Sequence, residues 1–349
     1  MADKGTLARN LLLLNALGVV CAAASEAGLK LVLLKGAALL AKGVYGPGER
    51  GMTDLDLLIR PEDEKAFDAM LTGLGFKPME NSSQAYYKIT APAAPPVIVD
   101  LHTGLWHEKD TGALWRRAEY AGPGMELPPG RRQPADKSLC GENAAAEVRP
   151  RAAQNRAKAG PVRNAPPKTE RRQSPGGNTA AETIEVAVLG LEDQLLHLAS
   201  HTLLYHGCLA TRTLQDIGRL LEFVYGKAER GDFWRKAAAI AEDGKLKPVL
   251  YPVLSRFSTA RPGLMSAEEL SAFEPRGADK LKNHFFEKAA VKHTRLLEYL
   301  LPVLYRPSLF ARYLFPGRIF LKKRYGKNSW TNHIRRPFQL ITAILKKED

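Results

Sequence analysis

The chain reads as an α+β protein, a small mixed sheet flanked by helices and followed by an all-helical half. Three observations predict this. Over the first 127 residues, short apolar runs suited to buried strands alternate with helix-like segments. Residues 128–183 then lose nearly all large apolar side chains, and beyond Ile184 the apolar residues recur at three-to-four spacing. The expected organisation is a sheet domain over 1–127, a disordered basic insert over 128–183, a helical domain over 184–305 and a basic amphipathic tail over 306–349.

Residues 6–27 carry a helix that Gly28 ends, and Leu31 to Leu34 form a fully apolar run fit for a buried strand. Gly36 opens a second helix, 37–44, and the turn Gly46-Pro47-Gly48 leads into a second strand, 53–59, that carries two aspartates. Pro61 suits the first turn of a third helix, where a missing N–H costs nothing, and Gly73 to Gly75 close it. Residues 84–90 and 96–101 follow as strands across a proline-rich hairpin connection, for about four strands in all. Helices are expected over 189–205, 213–225, 233–241, 248–257 and 278–301.

The insert from Pro128 to Thr183 is built of Ala, Pro, Arg, Gly and Asn, too little apolar surface to offset the entropy of ordering it. Composition is otherwise ordinary: 349 residues, 45% hydrophobic and 25% charged. The net charge of +14 excludes an acidic chain, and it is concentrated. Residues 131–172 hold +7 and residues 306–349 hold +9, so the rest is slightly acidic. Basicity here belongs to one loop and one tail, and it does not make the fold a nucleic-acid binder. The tail mixes Phe310, Tyr313 and Phe315 with Arg318, Lys322, Lys323 and Arg324. It reads first as a solvated helix with cationic stems over apolar neighbours, and second as a surface for an anionic membrane or RNA phosphates. The insert supports only nonspecific polyanion contact.

Cys21, Cys140 and Cys208 are widely spaced and odd in number, which suits a reducing compartment. The longest apolar stretch, Leu11 to Ala24, is about 14 residues against the roughly 20 that cross a bilayer, so no transmembrane segment is expected. It imitates a signal peptide, but it runs straight into the first strand, and a cytoplasmic helix is the preferred reading.

The strongest chemical signal is Thr53-Asp54-Leu55-Asp56-Leu57-Leu58-Ile59. On a strand, Asp54 and Asp56 project to one side while Leu55 and Leu57 face the core. Two carboxylates at roughly 5.5 Å repel by about 3 kcal/mol at an effective dielectric of 20, so a cation is expected there. Mg²⁺ suits it, since one or two carboxylates with water and phosphate oxygens complete its octahedron. Asp100, in Val97-Ile98-Val99-Asp100-Leu101-His102, adds a third acid from the next strand. Three acids allow two ions, with Asp100 taking the proton of the acceptor. His102 is read as packing against or orienting Asp100. Lys35-Gly36 joins the first strand to the second helix and aims N–H groups and a positive charge at an anion, while Arg50 either touches a phosphate or balances the acids.

These residues resemble the uncharacterised nucleotidyltransferases of the polymerase-β-like superfamily. The resemblance runs through Leu33 to Leu39, Arg50 to Ile59 with Pro61-Glu62-Asp63, and Val99 to His102, in the helical half through Leu195 to His201 and Leu214 to Ile217, and in the tail through Tyr313 to Pro316 and Lys323 to Gly326, about residues 7–120 and 184–340. It implies a nucleotidyltransferase fold in which Asp54, Asp56 and Asp100 bind Mg²⁺ and an NTP such as ATP, with Lys35, Gly36 and Arg50 toward the nucleotide. The activity implied is transfer of a nucleoside monophosphate to an acceptor, whether small molecule, protein or RNA, with release of pyrophosphate. Members commonly carry Gly-Ser after the first strand, and here Gly36-Ala37 stands there without the hydroxyl.

Two rivals compete. One is a catalytically silent nucleotide-binding or scaffold protein of the same fold, peripheral to a membrane through its tail. The other is a sugar-nucleotide glycosyltransferase, which also uses D-x-D, and against it stand the early motif and the small sheet. His197, His201, His206 and Cys208 invite a zinc reading, but Leu198 and Ala199 fill the inner positions of a would-be H-E-x-x-H, so core or surface histidines are expected. Asp216, among Leu214, Ile217, Leu220 and Leu221, reads as a polar anchor in a helix interface rather than a residue facing the acceptor.

Overall fold

The structure, a computed structural model, describes residues 3–120 apart from 80, 81, 83, 92, 93, 106 and 109, residues 186–291 apart from 228 and 229, residues 301–305, and positions 331, 334, 335 and 338. The basic insert and nearly all of the tail lie outside the described residues, and with them the expectations of disorder, of polyanion contact and of a membrane-surface helix.

The order of elements is α1 (Lys4–Glu26), β1 (Leu31–Leu33), α2 (Lys35–Ala41), β2 (Leu55–Ile59), a 3-10 turn at Pro61–Asp63, α3 (Glu64–Gly73), β3 (Lys77–Pro78), β4 (Ala85–Lys88), β5 (Val97–His102), α4 (Thr111–Arg117), β6 (Glu119–Tyr120) and β7 (Ala187–Val188). The helical half follows as α5 (Leu191–Leu204), α6 (Thr211–Tyr225), α7 (Arg230–Asp243), α8 (Lys247–Ala260), α9 (Ala267–Ser271) and α10 (Asp279–Val291). The α+β class expected from the sequence is the class observed.

The sheet has seven strands in the order β3-β4-β5-β2-β1-β7-β6, not about four. The three unexpected strands are two residues long, too short to leave a period-two pattern. One of them, β7, lies past the insert and pairs parallel to β1, so chain from both sides of residues 128–183 closes the same sheet. Helices α4 and α9 are also outside the expected set; Asp110 caps the first, and Ser266 with Glu269 forms a capping box at the start of the second.

Alternation along the central strands divides the core. Leu55, Leu57 and Ile59 join Leu13, Leu17 and Val20 of α1 and Phe67 and Leu71 of α3 on one face, while Leu58 joins Val32, Leu34, Leu105 and Leu114 on the other. A third cluster is built by the helices around Leu195, Leu220, Leu250 and Phe257, and it takes in Leu39, Val44 and Tyr45 from the sheet half. Asp3 caps α1, its carboxylate accepting from the Gly5 and Thr6 amides. α1 runs 23 residues, longer than its 14-residue apolar stretch, because polar residues before Leu11 continue the helix. Among the described residues it is the single helix long and apolar enough to cross a membrane; its Leu13, Leu17 and Val20 are fully buried in the sheet's core.

Candidate active site

β2 and β5 are parallel neighbours whose register sets Asp56 directly opposite Asp100 and Leu58 opposite His102. Partnered positions on adjacent strands point to the same face, so Asp56 and Asp100 share the face opposite to Leu55 and Leu57, and His102, two residues beyond Asp100, joins them. One ligand atom from each of Asp56, Asp100 and His102 lies within 4.8 Å of the other two. Asp54 stands one residue before β2, so strand alternation does not by itself place it, yet it lines the same pocket as Asp56 and Asp100. Its Oδ1 accepts from the Thr53 hydroxyl at 2.9 Å.

Asp56 is the most enclosed of these acids, 4% exposed. Its Oδ1 accepts from Lys35 Nζ at 2.7 Å and lies 2.9 Å from His102 Nε2, while His102 stands 3.5 Å from Asp100 Oδ2. The expected cation at the acids is thus in part Lys35, and His102 orients Asp56 more closely than Asp100. Burial alone raises the Asp56 carboxyl, but the His102 hydrogen bond and the Lys35 charge outweigh it and hold the group far below the usual carboxylate range. Asp100 moves the other way: burial raises it, and the neighbouring Asp56 and Asp54 charges add to that against His102 and Lys35. Two adjacent carboxyls pushed apart in this way suit different tasks, one a fixed anion and the other a proton acceptor.

Lys35 has φ +47°, a left-handed conformation rarely held by a long side chain, at the sharp change of direction from β1 into α2. Gly36 is required for a reason that sequence alone did not suggest. A Cβ there falls 2.1 Å from Arg50 Nη1, so the guanidinium occupies the space that any side chain at this position would need. Arg50 in turn donates from Nε and Nη2 to the two oxygens of Asp216 on α6, both at 2.8 Å, and Tyr45 donates to Asp216 Oδ1 at 3.1 Å. Asp216 therefore anchors the helical half to the sheet half through Arg50 and Tyr45, and it also lines the pocket, as does Arg50, which balances it at 2.8 Å.

The pocket above the acids has a volume of about 320 Å³, within the range of small-molecule sites. Lys35, Gly36, Arg50, Asp54, Asp56 and Asp100, all the residues expected from the sequence, line it, and α5, α6 and their connection supply the opposite wall. His197 and His201 belong to the buried face of α5, and neither enters a metal-binding group among the described residues.

Two residues unread in the sequence hold the site's loops. Asn10, fully buried on α1, donates to the Pro47 and Arg50 carbonyls at 2.6 and 2.7 Å and accepts from the Met52 amide at 2.9 Å, fixing the segment that carries Arg50. Arg9 donates to the carbonyls of Thr53, Pro95 and Pro96, tying together the chain that enters β2 and the chain that enters β5. The signal for Asn10 was present: it precedes Leu13, Leu14 and Leu17 at three, four and seven residues, the buried stripe of the helix.

Compared with known proteins, residues 2–128 match the model of a family described as uncharacterised nucleotidyltransferase. No curated protein and no solved structure matches the chain.

Proposed function

We propose, from the match of residues 2–128 to the uncharacterised nucleotidyltransferase family, that this chain transfers a nucleoside monophosphate from an NTP to an acceptor hydroxyl or phosphate in a Mg²⁺-dependent reaction that releases pyrophosphate. The observation that carries the reading is the pairing of Asp56 with Asp100 across β2 and β5, with His102 beside them, on the floor of one pocket. The two carboxylates fit a hard divalent cation such as Mg²⁺, and the His102 imidazole, 2.9 Å from Asp56 Oδ1, orients one of them. Bound there, such an ion neutralises phosphate charge and positions the attacking oxygen.

Each residue of the chain has a part. Asp56, ionised throughout the neutral range, holds the cation, with Asp54 supporting it from the start of the strand. Asp100, the more basic carboxyl, accepts the proton of the acceptor. Lys35, on the pocket wall beside Asp56, would offer its ammonium to a phosphate as a point charge. Gly36 keeps Arg50 seated on Asp216, and so keeps the guanidinium on the pocket wall. Positioning and charge neutralisation supply most of the catalysis in such a transfer.

The same geometry contains one feature that suits a silent nucleotide binder, the Lys35 contact that already neutralises Asp56. Incubation with each α-labelled NTP, Mg²⁺ and a cell extract separates the two. Label transferred to RNA, protein or a small molecule, and lost in Asp100→Asn, supports the transferase; Mg²⁺-dependent NTP binding with no transfer to any fraction overturns it in favour of the binder.

A further inference from the structure

The wall facing the acids is made differently from the acid floor. Tyr205, at the C-terminal end of α5, is 54% exposed and lines the pocket. The His201 ring stacks on it at 4.8 Å with the planes 21° apart, and His206 stands edge-on to both rings. Behind them a column of imidazoles continues into the protein: His201 meets His197 at 5.5 Å, His197 meets His107 at 5.8 Å, and His107 Nε2 lies 3.0 Å from Asp193, itself gripped by Arg117. His197 and His201 are buried, with His197 Nδ1 and Nε2 and His201 Nε2 unpartnered. Burial therefore holds both well below the usual imidazole range, and they are uncharged at neutral pH. His201 therefore backs Tyr205 with a neutral ring, and His197 behind it is neutral as well.

The pocket pairs an ionic floor, Asp56, Asp100 and Lys35, with a wall that presents the Tyr205 ring beside Arg212, and an NTP likewise joins an ionic tail to a planar, uncharged ring. We propose that Tyr205, backed by His201, is the stacking platform for the nucleobase, with the triphosphate directed to Asp56, Asp100 and Lys35 across the same 320 Å³ pocket. This rests on the nucleotidyltransferase reading and adds to it the place of the base. Stacking on an aromatic ring tolerates many bases, so the platform contributes affinity more than base choice.

The test compares binding of the four Mg²⁺-NTPs with that of Mg²⁺-tripolyphosphate, by titration calorimetry on the full chain. At least one NTP is expected to bind more tightly than tripolyphosphate. Tyr205→Ala, at a half-exposed position, should weaken that NTP by about five- to a hundredfold and leave tripolyphosphate unchanged, while Tyr205→Phe keeps the advantage. Tripolyphosphate matching every NTP, or losing as much as the NTP in Tyr205→Ala, overturns the platform and leaves the acid site standing. Absence of binding by either ligand overturns the acid site as an NTP site, and the platform with it.

Discussion

Lys35 Nζ lies 2.7 Å from Asp56 Oδ1, on the oxygen that His102 also reaches at 2.9 Å. A lysine in that place acts as a resident counter-ion, and a divalent cation must compete with it for the same carboxylate. Lys35→Met removes the competitor while keeping much of the side chain's bulk. The variant should bind Mn²⁺, a spectroscopic stand-in for Mg²⁺, several-fold more tightly in the absence of nucleotide, and should lose affinity for tripolyphosphate. Electron paramagnetic resonance titration of Mn²⁺ reads the first effect; unchanged Mn²⁺ affinity would show that Lys35 does not guard the site.

The two central carboxyls make opposite predictions for pH. Asp56 is lowered in the folded protein, so its stabilising contribution is complete above its ordinary value of 3.8 and is lost as pH falls below it. Asp100 is raised, so its contribution is complete below 3.8 and is lost as pH rises through the higher folded value, and at neutral pH the group weighs against the fold. Asp100→Asn should therefore unfold at the same or a higher temperature than the parent at pH 7, with the advantage gone at pH 3, and transfer should fall a hundredfold or more. Thermal denaturation at the two pH values, beside the labelled-NTP assay, checks both; a clear loss of stability at pH 7 contradicts the assignment of Asp100 as the strained carboxyl.

Arg50 and Asp216 form a buried pair joining the loop before β2 to α6. Removing one partner strands the other, so Arg50→Met should cost about 3–5 kcal/mol of stability. Removing both, as Arg50→Met with Asp216→Leu, leaves no stranded charge and should recover most of that loss while activity stays low. Urea unfolding of the parent, both single variants and the double variant supplies the cycle. Additive losses would show that the pair is not coupled.

Asn10 satisfies two carbonyls and one amide of the Arg50 loop. Asn10→Leu preserves volume but leaves those groups buried and unpaired, at about 1–3 kcal/mol for each one that water cannot reach. A lower unfolding temperature is expected together with weaker tripolyphosphate binding, because the same loop carries Arg50 to the pocket. A variant with parental stability would show that the loop holds itself.

Much of this was legible one strand at a time. The apolar alternation of residues 55–59, the glycine at 36 and the helical spacing after Ile184 are local patterns, and local sterics and burial determine them, so the α+β class and the candidate acids followed from the chain alone. Asp100 could be nominated as a third acid because it ends a strand-like run. Partners distant in sequence were decided only by the tertiary structure. The β2 to β5 register puts Asp56, not Asp54, opposite Asp100; Arg50 finds Asp216 across 166 residues; and β7, two residues long, completes the sheet from beyond the insert. Such pairings depend on which surfaces meet when separate segments bury their apolar faces together. Residue spacing along one segment constrains that choice weakly, while the packed core leaves a buried charge such as Asp56 few alternatives to the cations it has.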